Sequence, residues 1–465
     1  MNIYLFINKR SRLYGIIFSL LCCICLGLGG CKKFLDTKPD KQLSVPTSLN
    51  DLSLLLDNRQ RFNEGYPAFG QISCDDYYLL NDVFNALSQA EQRNYYLWLP
   101  DNTNLGDWSR PYQAIYYTNV VLDLLPQIPV ATHETLLRDR VEGSALFYRA
   151  FALYELAQAY TPAYEPGKAL NLPGLPLRLD PDFNKPSVRA SLEATYAQII
   201  SDLSKAVNLL PPRAEFYLRP TRAAAWGMLA RVYLTMQNYP QAVNCADSCL
   251  QLQSTLVNFN SLPVTASSPM PEPSANPEVL FFSTLSLSSI FNASRSRVDS
   301  FLYRSYKMMD LRKKAFFIQN ADNSYSFKGS YQKRTTYSIF NGITTAEMYL
   351  VRAEGLARQG AITGAIGSLD SLLIQRIQTG SFVPTTVTSA TEALDKILIE
   401  RRKELCFRGL RWTDLKRLNT TLEHQTVLTR IINGETYQLM PGSPDYVALI
   451  PEKVIQLSGI PQNER

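Results

Sequence analysis

The side chains that could do chemistry are few and poorly grouped. The two histidines, His133 and His424, lie far apart in sequence without the spacing of metal ligands. No GxSxG elbow, HExxH helix or GxxxxGK[ST] phosphate loop occurs. Asp75 and Asp76 could be a carboxylate pair for glycoside hydrolysis. Adjacent side chains project differently, however, and that acid/base chemistry needs a fixed gap of roughly 5–10 Å between carboxyls. The stretch DPDFN starts like a calcium loop with Asp180, Asp182 and Asn184. Lys185 then stands where the sharp turn needs glycine, and Ser191 where the loop needs a bidentate glutamate. An EF-hand is excluded. The glycine-rich run Gly360–Ser368 has no lysine to reach a phosphate. These patterns point to a chain that is not an enzyme and uses neither metal nor cofactor.

One thiol sits where chemistry is expected. Lys9, Arg10 and Arg12 precede an apolar run from about Leu13 to Leu28, and Gly29, Gly30 and Cys31 follow. Basic residues, a short apolar core and small residues make a secretory signal. The run falls just short of the roughly 20 apolar residues that a spanning helix needs. Leu28-Gly29-Gly30-Cys31 looks like a bacterial lipobox, in which the cysteine sulfur receives lipid and cleavage precedes it. An ordinary signal or a single anchor helix is the alternative. One acyl chain, such as palmitate, holds a membrane only marginally, and two or more hold it stably. Cys22, Cys23 and Cys25 would leave with the signal. Cys74, Cys245, Cys249 and Cys406 read as buried free thiols. Cys245 and Cys249, at i and i+4 on one helix, suit a disulfide poorly.

The elements that must position any site are helical. The clearest unit is Ala223–Leu252, which matches a tetratricopeptide repeat. Trp226, Leu229, Ala230 and Tyr233 fall on its first helix, and Tyr239, Ala242, Cys249 and Leu250 on its turn and second helix. Ala346–Arg376 is a second copy, with Ala353, Gly360 and Ala365 at the close-contact and turn positions. A third copy is split: Glu142–Tyr160 and Ala194–Pro211 flank a proline-rich insertion that cannot be helical. A fourth pair begins at Trp108. Stacked pairs bury a core that one pair alone cannot. Long non-repeat segments remain at about 63–105, 256–304 and 320–341, and loops of that length are commonly functional.

The chain has 47 basic and 41 acidic residues, a net charge of +6. Removing the signal's three bases leaves +3 over more than 400 residues, which gives no general attraction to nucleic acid. Arg312-Lys313-Lys314 and Arg401-Arg402-Lys403 read as solvated helix faces. With 26 tyrosines against 21 phenylalanines, the aromatic balance favours half-wet surfaces. The expected divisions are a signal at 1–30, an extended tether at 31–50, and two halves at 51–210 and 211–465.

Several segments resemble the RagB/SusD family of outer-membrane lipoproteins. They are the lipobox with CKKFLDTKPD, WSRPYQAIYYTNVVLDLL, GSALFYRAFALYELAQAY, TTAEMYLVRAEGLARQG, ILIERRKELCFRGLRWTDLKRLN and the terminal ALIPEKVIQLSGIPQNER. The charged motif from Glu400 to Leu415 reads as scaffold. In it Arg401, Glu404, Arg411 and Asp414 can pair to fix the turn after the helix, with Trp412 as a packing anchor. The resemblance implies a mainly α, SusD-like fold: a tetratricopeptide-like scaffold of helix pairs with long irregular insertions and few short strands. It also implies a lipid-anchored, cell-surface protein of the outer membrane. Such a protein captures glycans or other oligomeric nutrients for a SusC-like TonB-dependent transporter. Peptide or other non-sugar cargo, or a repeat scaffold for a partner protein, are the rival readings.

For such a binder, tyrosine or tryptophan would stack on the apolar face of a sugar while amides, carboxylates or arginine bond its hydroxyls. The densest run is Cys74–Trp108, where Asp76, Tyr77, Tyr78, Trp98 and Asn102 are the first candidates. Tyr303, Tyr306, Tyr325 and Tyr331 are the second set.

Overall fold

The computed structural model of the chain describes residues 46–213, 215–333 and 337–465. The signal, Cys31 and the first part of the tether lie outside the described residues.

The repeat helices form where the spacing of small and apolar residues places them. They are α1 (Gly106–Leu124), α2 (Thr135–Tyr160), α3 (Leu192–Leu209), α4 (Arg222–Thr235), α5 (Tyr239–Leu252), α6 (Thr345–Arg358), α7 (Ile362–Leu373) and α8 (Ala390–Glu404). Each from α1 to α6 packs on the next, and α6 meets both α7 and α8. The array is therefore continuous across residues 210 and 211, through α3 on α4. Polar N-caps start the helices. Thr221 accepts from the Ala224 N–H, Asn238 from Gln241, and Ser389 from Glu392. Ala230, Ala242, Ala353 and Ala365 are fully buried, as close helix packing requires. Gly355 carries this furthest, since a Cβ there would lie 2.5 Å from Val243 and 3.2 Å from the Tyr239 carbonyl oxygen. Gly360, at φ +77°, makes the turn from α6 to α7.

The insertions are ordered by short two-stranded pairings. β1 (Glu64–Tyr66) runs parallel to β3 (Thr284–Leu285), and β2 (Tyr77–Tyr78) is antiparallel to β4 (Arg297–Val298). β5 (Phe317–Gln319) pairs with β6 (Tyr325–Phe327), and β7 (Leu428–Ile432) with β8 (Glu435–Leu439) through a turn at Asn433-Gly434. The split repeat's insertion holds one more antiparallel pair, Pro173–Pro176 with Arg189–Ser191. Cys74, Cys245, Cys249 and Cys406 are free and buried. Among the described residues no helix is long and apolar enough to cross a membrane.

The basic runs differ from expectation. Arg312, Arg401 and Lys403 are buried, not solvated, because carboxylates from other segments reach them. Arg312 bonds Asp310 at 2.7 Å and Glu404 at 3.2 Å, and Arg376 bonds Glu404 at 2.8 Å and Glu278 at 2.7 Å. Burial alone would raise the Asp310 pKa, but Arg312 and Lys403 hold it at about 2. In the charged motif, Arg401 does pair with Asp414 at 2.8 Å. Glu404 and Arg411 find remote partners instead, Arg411 reaching Asp75 at 2.7 Å. Trp412 anchors as expected. On the helix Arg411–Leu418 (α9) it is buried against Tyr446 and Phe69, and its Nε1 donates to the Tyr446 carbonyl at 3.1 Å.

Candidate functional site

The first candidate run folds with its aromatic side chains inward. Tyr77 and Trp98 are 3% and 5% exposed, so neither offers a ring to a ligand. The Tyr77 hydroxyl donates to the Ile72 carbonyl at 2.7 Å, and Trp98 Nε1 to the Ser73 carbonyl at 3.0 Å. Arg430, sent in from β7, closes this packing. Its guanidinium lies 3.6 Å from the Tyr96 ring centre and 4.7 Å from that of Trp98, and it donates to the carbonyls of Tyr96, Ser73 and Cys74. Trp98 keeps a left-handed backbone, φ +59°, which an aromatic residue adopts only when its surroundings hold it there.

Asp76 is also an internal brace. One carboxylate oxygen accepts from the Phe407 N–H at 2.9 Å and from Gln71 at 3.2 Å. Burial and the neighbouring Asp75 raise its pKa. Asp75 has the opposite fate: burial would raise its pKa, but Arg411 and Arg402 depress it well below the usual carboxylate range. The two carboxylates therefore fasten the 71–78 loop to the turn at 402–411. Asn102 donates to Glu452 at 2.7 Å and pins the last helix, Glu452–Ser458. In the second set, Tyr306 and Tyr331 are buried, their hydroxyls donating to the Lys403 carbonyl and to Glu278, each at 2.6 Å.

Three aromatic candidates remain half-buried, and the β pairings bring them near one another. Tyr78 on β2 faces Arg297 on β4, Arg297 reaches Asp322 at 3.3 Å, and β4 lies against β6, which carries Tyr325. The Tyr325 ring stacks on Tyr303 at 3.5 Å and 16°, and Lys313 Nζ lies 4.5 Å from the Tyr303 ring centre. These residues form a tyrosine shelf edged by charge.

The segment 286–298 joins this shelf to a cleft that sequence reasoning did not single out. One lobe, of about 560 Å³, is lined by Gln89, Glu91, Gln92, Asn104, Asp107, Arg110 and Ser286–Ser288. The adjoining lobe, of about 910 Å³, shares Arg110 and Leu287 with it and adds Asn58, Gln60, Arg61, Glu64 and Gln113. Arg110 is exposed and makes no hydrogen bond or ion pair among the described residues. It crosses Gly65 so closely that a Cβ there would lie 2.8 Å from its Nη1, and Gly65 has φ +85°. Arg61 lies 3.5 Å from the Tyr117 ring centre. At the floor, Asp107 accepts from the N–H groups of Ala68 at 3.0 Å and Phe69 at 3.3 Å. Burial outweighs these bonds and pushes its pKa up to about 6. The cleft thus offers amides, hydroxyls, carboxylates and a free guanidinium, a set that suits a neutral polyhydroxylated ligand. Arg110 lies in the motif WSRPYQAIYY, where its helical spacing from the buried Ala114 and the exposed Gln113 was the only signal. Among the described residues, no group of three or more His, Cys, Asp or Glu could hold a metal ion.

A stacked-helix scaffold whose insertions gather a polar cleft and an aromatic shelf defines a loop-decorated helical-repeat protein. Two family models match the chain. One, described as starch-binding associating with outer membrane, covers residues 33–234, and the SusD family model covers residues 299–449. The chain belongs to the SusD family. Among solved structures, it is similar to a candidate sugar-binding protein of Bacteroides vulgatus. The two are 20% identical with a TM-score of 0.74, over 90% of this chain and 99% of that one. A SusD superfamily protein of Bacteroides thetaiotaomicron is 21% identical with a TM-score of 0.73, over 90% and 100% of the two chains. A laminarin-binding SusD-like protein is 20% identical with a TM-score of 0.64, over 89% and 97%. At these identities the likeness is one of fold. No curated protein matches the chain.

Proposed function

We propose that the chain is a non-catalytic, lipid-anchored receptor of the outer membrane. It captures oligosaccharides and passes them to a SusC-like TonB-dependent transporter. The observation that carries the reading is the pairing of the Arg110 cleft with the Tyr78, Tyr303 and Tyr325 shelf at the two ends of one segment. Amides and arginine would bond sugar hydroxyls while a tyrosine ring would take the apolar face. Membership in the SusD family, and the laminarin named for one structural neighbour, support a glycan as cargo. Cys31 would carry the lipid, and the small net charge fits a cargo without strong charge.

The test is affinity electrophoresis in gels cast with laminarin, starch and other soluble glycans. Retardation in at least one gel is expected, and joint replacement of Arg110 and Gln92 by alanine should abolish it with the helical circular dichroism unchanged. A wild-type chain that no glycan retards, or a retarded double variant, would remove the cleft from consideration. Mass spectrometry of the native N-terminus should find a diacylglyceryl group on Cys31.

A further inference from the structure

The two lobes of the cleft differ in charge. The smaller is lined by two carboxylates, Glu91 and Asp107, beside its amides and Arg110. The larger, of about 910 Å³, is lined by two guanidinium groups, Arg61 and Arg110, and one carboxylate, Glu64. Glu64 is already closed by Arg59, whose Nε lies 2.6 Å from its carboxylate. Neither of the two lining guanidinium groups has an ion pair or a hydrogen bond among the described residues.

Both cations are held in place without being neutralised. Arg61 sits in the short helix Arg59–Phe62, where the Asn58 side chain accepts from its backbone N–H at 3.1 Å. Its guanidinium carbon lies 3.5 Å from the ring centre of Tyr117 on α1. So short an approach puts the flat face of the cation on the ring and leaves its N–H groups directed outward in the plane. Arg110 is bedded on the backbone of Gly65, where a Cβ would meet Nη1 at 2.8 Å and Cδ at 3.0 Å. Arg110, Gln113 and Tyr117 stand at i, i+3 and i+7, one stripe of α1 about 10 Å long. The stripe therefore carries a fixed cation at each end and an exposed amide between them. Like charges facing one lobe repel, and a ligand that brings an anion relieves the repulsion.

We propose that the larger lobe reads an anionic substituent, a carboxylate or a sulfate ester, on an otherwise neutral glycan. The oxygens of either group only accept, and the planar fork of arginine donates to two of them at once. Neutral ring hydroxyls would meet the amides and carboxylates of the smaller lobe while the charged group lies against Arg61 and Arg110. A fully neutral cargo leaves Arg61 unused, and a dense polyanion would meet Glu91 and Asp107, so a cargo of sparse charge fits both lobes. This inference rests on the glycan reading of the cleft and narrows its cargo.

The test measures binding of the full-length protein in detergent to laminarin and starch oligosaccharides in three forms. They are neutral, sparsely oxidised to carboxylate at the primary hydroxyl, or sparsely sulfated. At least one charged form should bind about tenfold tighter than its neutral parent, and the advantage should shrink as salt is raised. Preference for the oxidised form assigns the carboxylate, and preference for the sulfated form assigns the sulfate. Arg61→Gln should bring the ratio of charged to neutral affinity close to one, and Arg61→Lys should keep part of it. Lys205→Gln, the same loss of charge at an exposed position of α3, should leave the ratio unchanged. Neutral and charged forms bound alike, or a ratio lowered equally by Lys205→Gln, would overturn this inference alone. Oligosaccharides that fail to bind in all three forms would overturn the glycan reading with it.

Discussion

The two charged regions of the molecule treat their ions in opposite ways. Around Glu404, arginines and carboxylates are withdrawn from water and closed on one another, with Arg376, Arg312 and Glu404 all fully buried. Around Arg110, an exposed guanidinium stands beside amides in an open cleft, with a buried carboxylate beneath it. A buried pair stabilises little over apolar packing, yet breaking it is costly because one charge is stranded. An open cation contributes little to folding and stays available for a ligand. Density of charge along the sequence therefore marks scaffold here, and the proposed binding surface is drawn with isolated polar residues.

The largest expected effect breaks the closed region. Arg376→Met leaves Glu278 without a paired cation among the described residues and takes one of the two arginines from Glu404, and should destabilise the protein by about 3–5 kcal/mol, read from urea denaturation midpoints. Gly355→Val, which drives a side chain into Val243, should cost about 1–3 kcal/mol in the same assay. The pH dependence separates the regions further. Asp310, and Glu354 on α6, which Arg417 pairs at 2.6 Å, titrate at about 2 in the folded state, below their ordinary values of 3.8 and 4.5. Their contribution is present above about pH 4.5 and is lost as pH falls toward 2. Asp107 runs the other way: its pKa rises from 3.8 to about 6, so its contribution is full below pH 4 and is lost as pH climbs to 6. Asp107→Asn should flatten stability between pH 4 and 6 and leave the acid limb in place. The smallest change in stability belongs to Arg110→Ala, within about 0.5 kcal/mol of wild type, although glycan retardation should fall sharply. A large loss of stability in Arg110→Ala would erase the contrast between the regions.

The scaffold was legible because its signal is periodic. Ala230, Ala242, Ala353 and Ala365 mark close approaches that only helix pairs make, and all four are buried between helices. The cleft was far less legible. Within Cys74–Trp108 the sequence drew attention to Tyr77 and Trp98, and their rings are the ones the core takes. Gln92, Asn104 and Arg110 have no distinguishing pattern, because a polar residue looks alike in sequence whether it lines a cleft or an outer surface. Segment 286–298 is brought to the cleft by long-range pairings, among them β3 with β1 and β4 with β2, which no local periodicity announces. The pairing of Asp75 with Arg411 was hidden for the same reason, since each motif read alone as complete.

That last bridge joins positions 336 residues apart. Closing so long a span has an entropic cost that its neighbours must share, since the cost of loop closure rises with length. The β2–β4 pairing can hold the far end of the 71–78 loop once residue 298 is made, but its latch to Arg411 waits until nearly nine-tenths of the polypeptide has been made. Clipping the chain ahead of Arg411 would remove the Asp75 latch while leaving the β2–β4 pairing and every repeat helix in place.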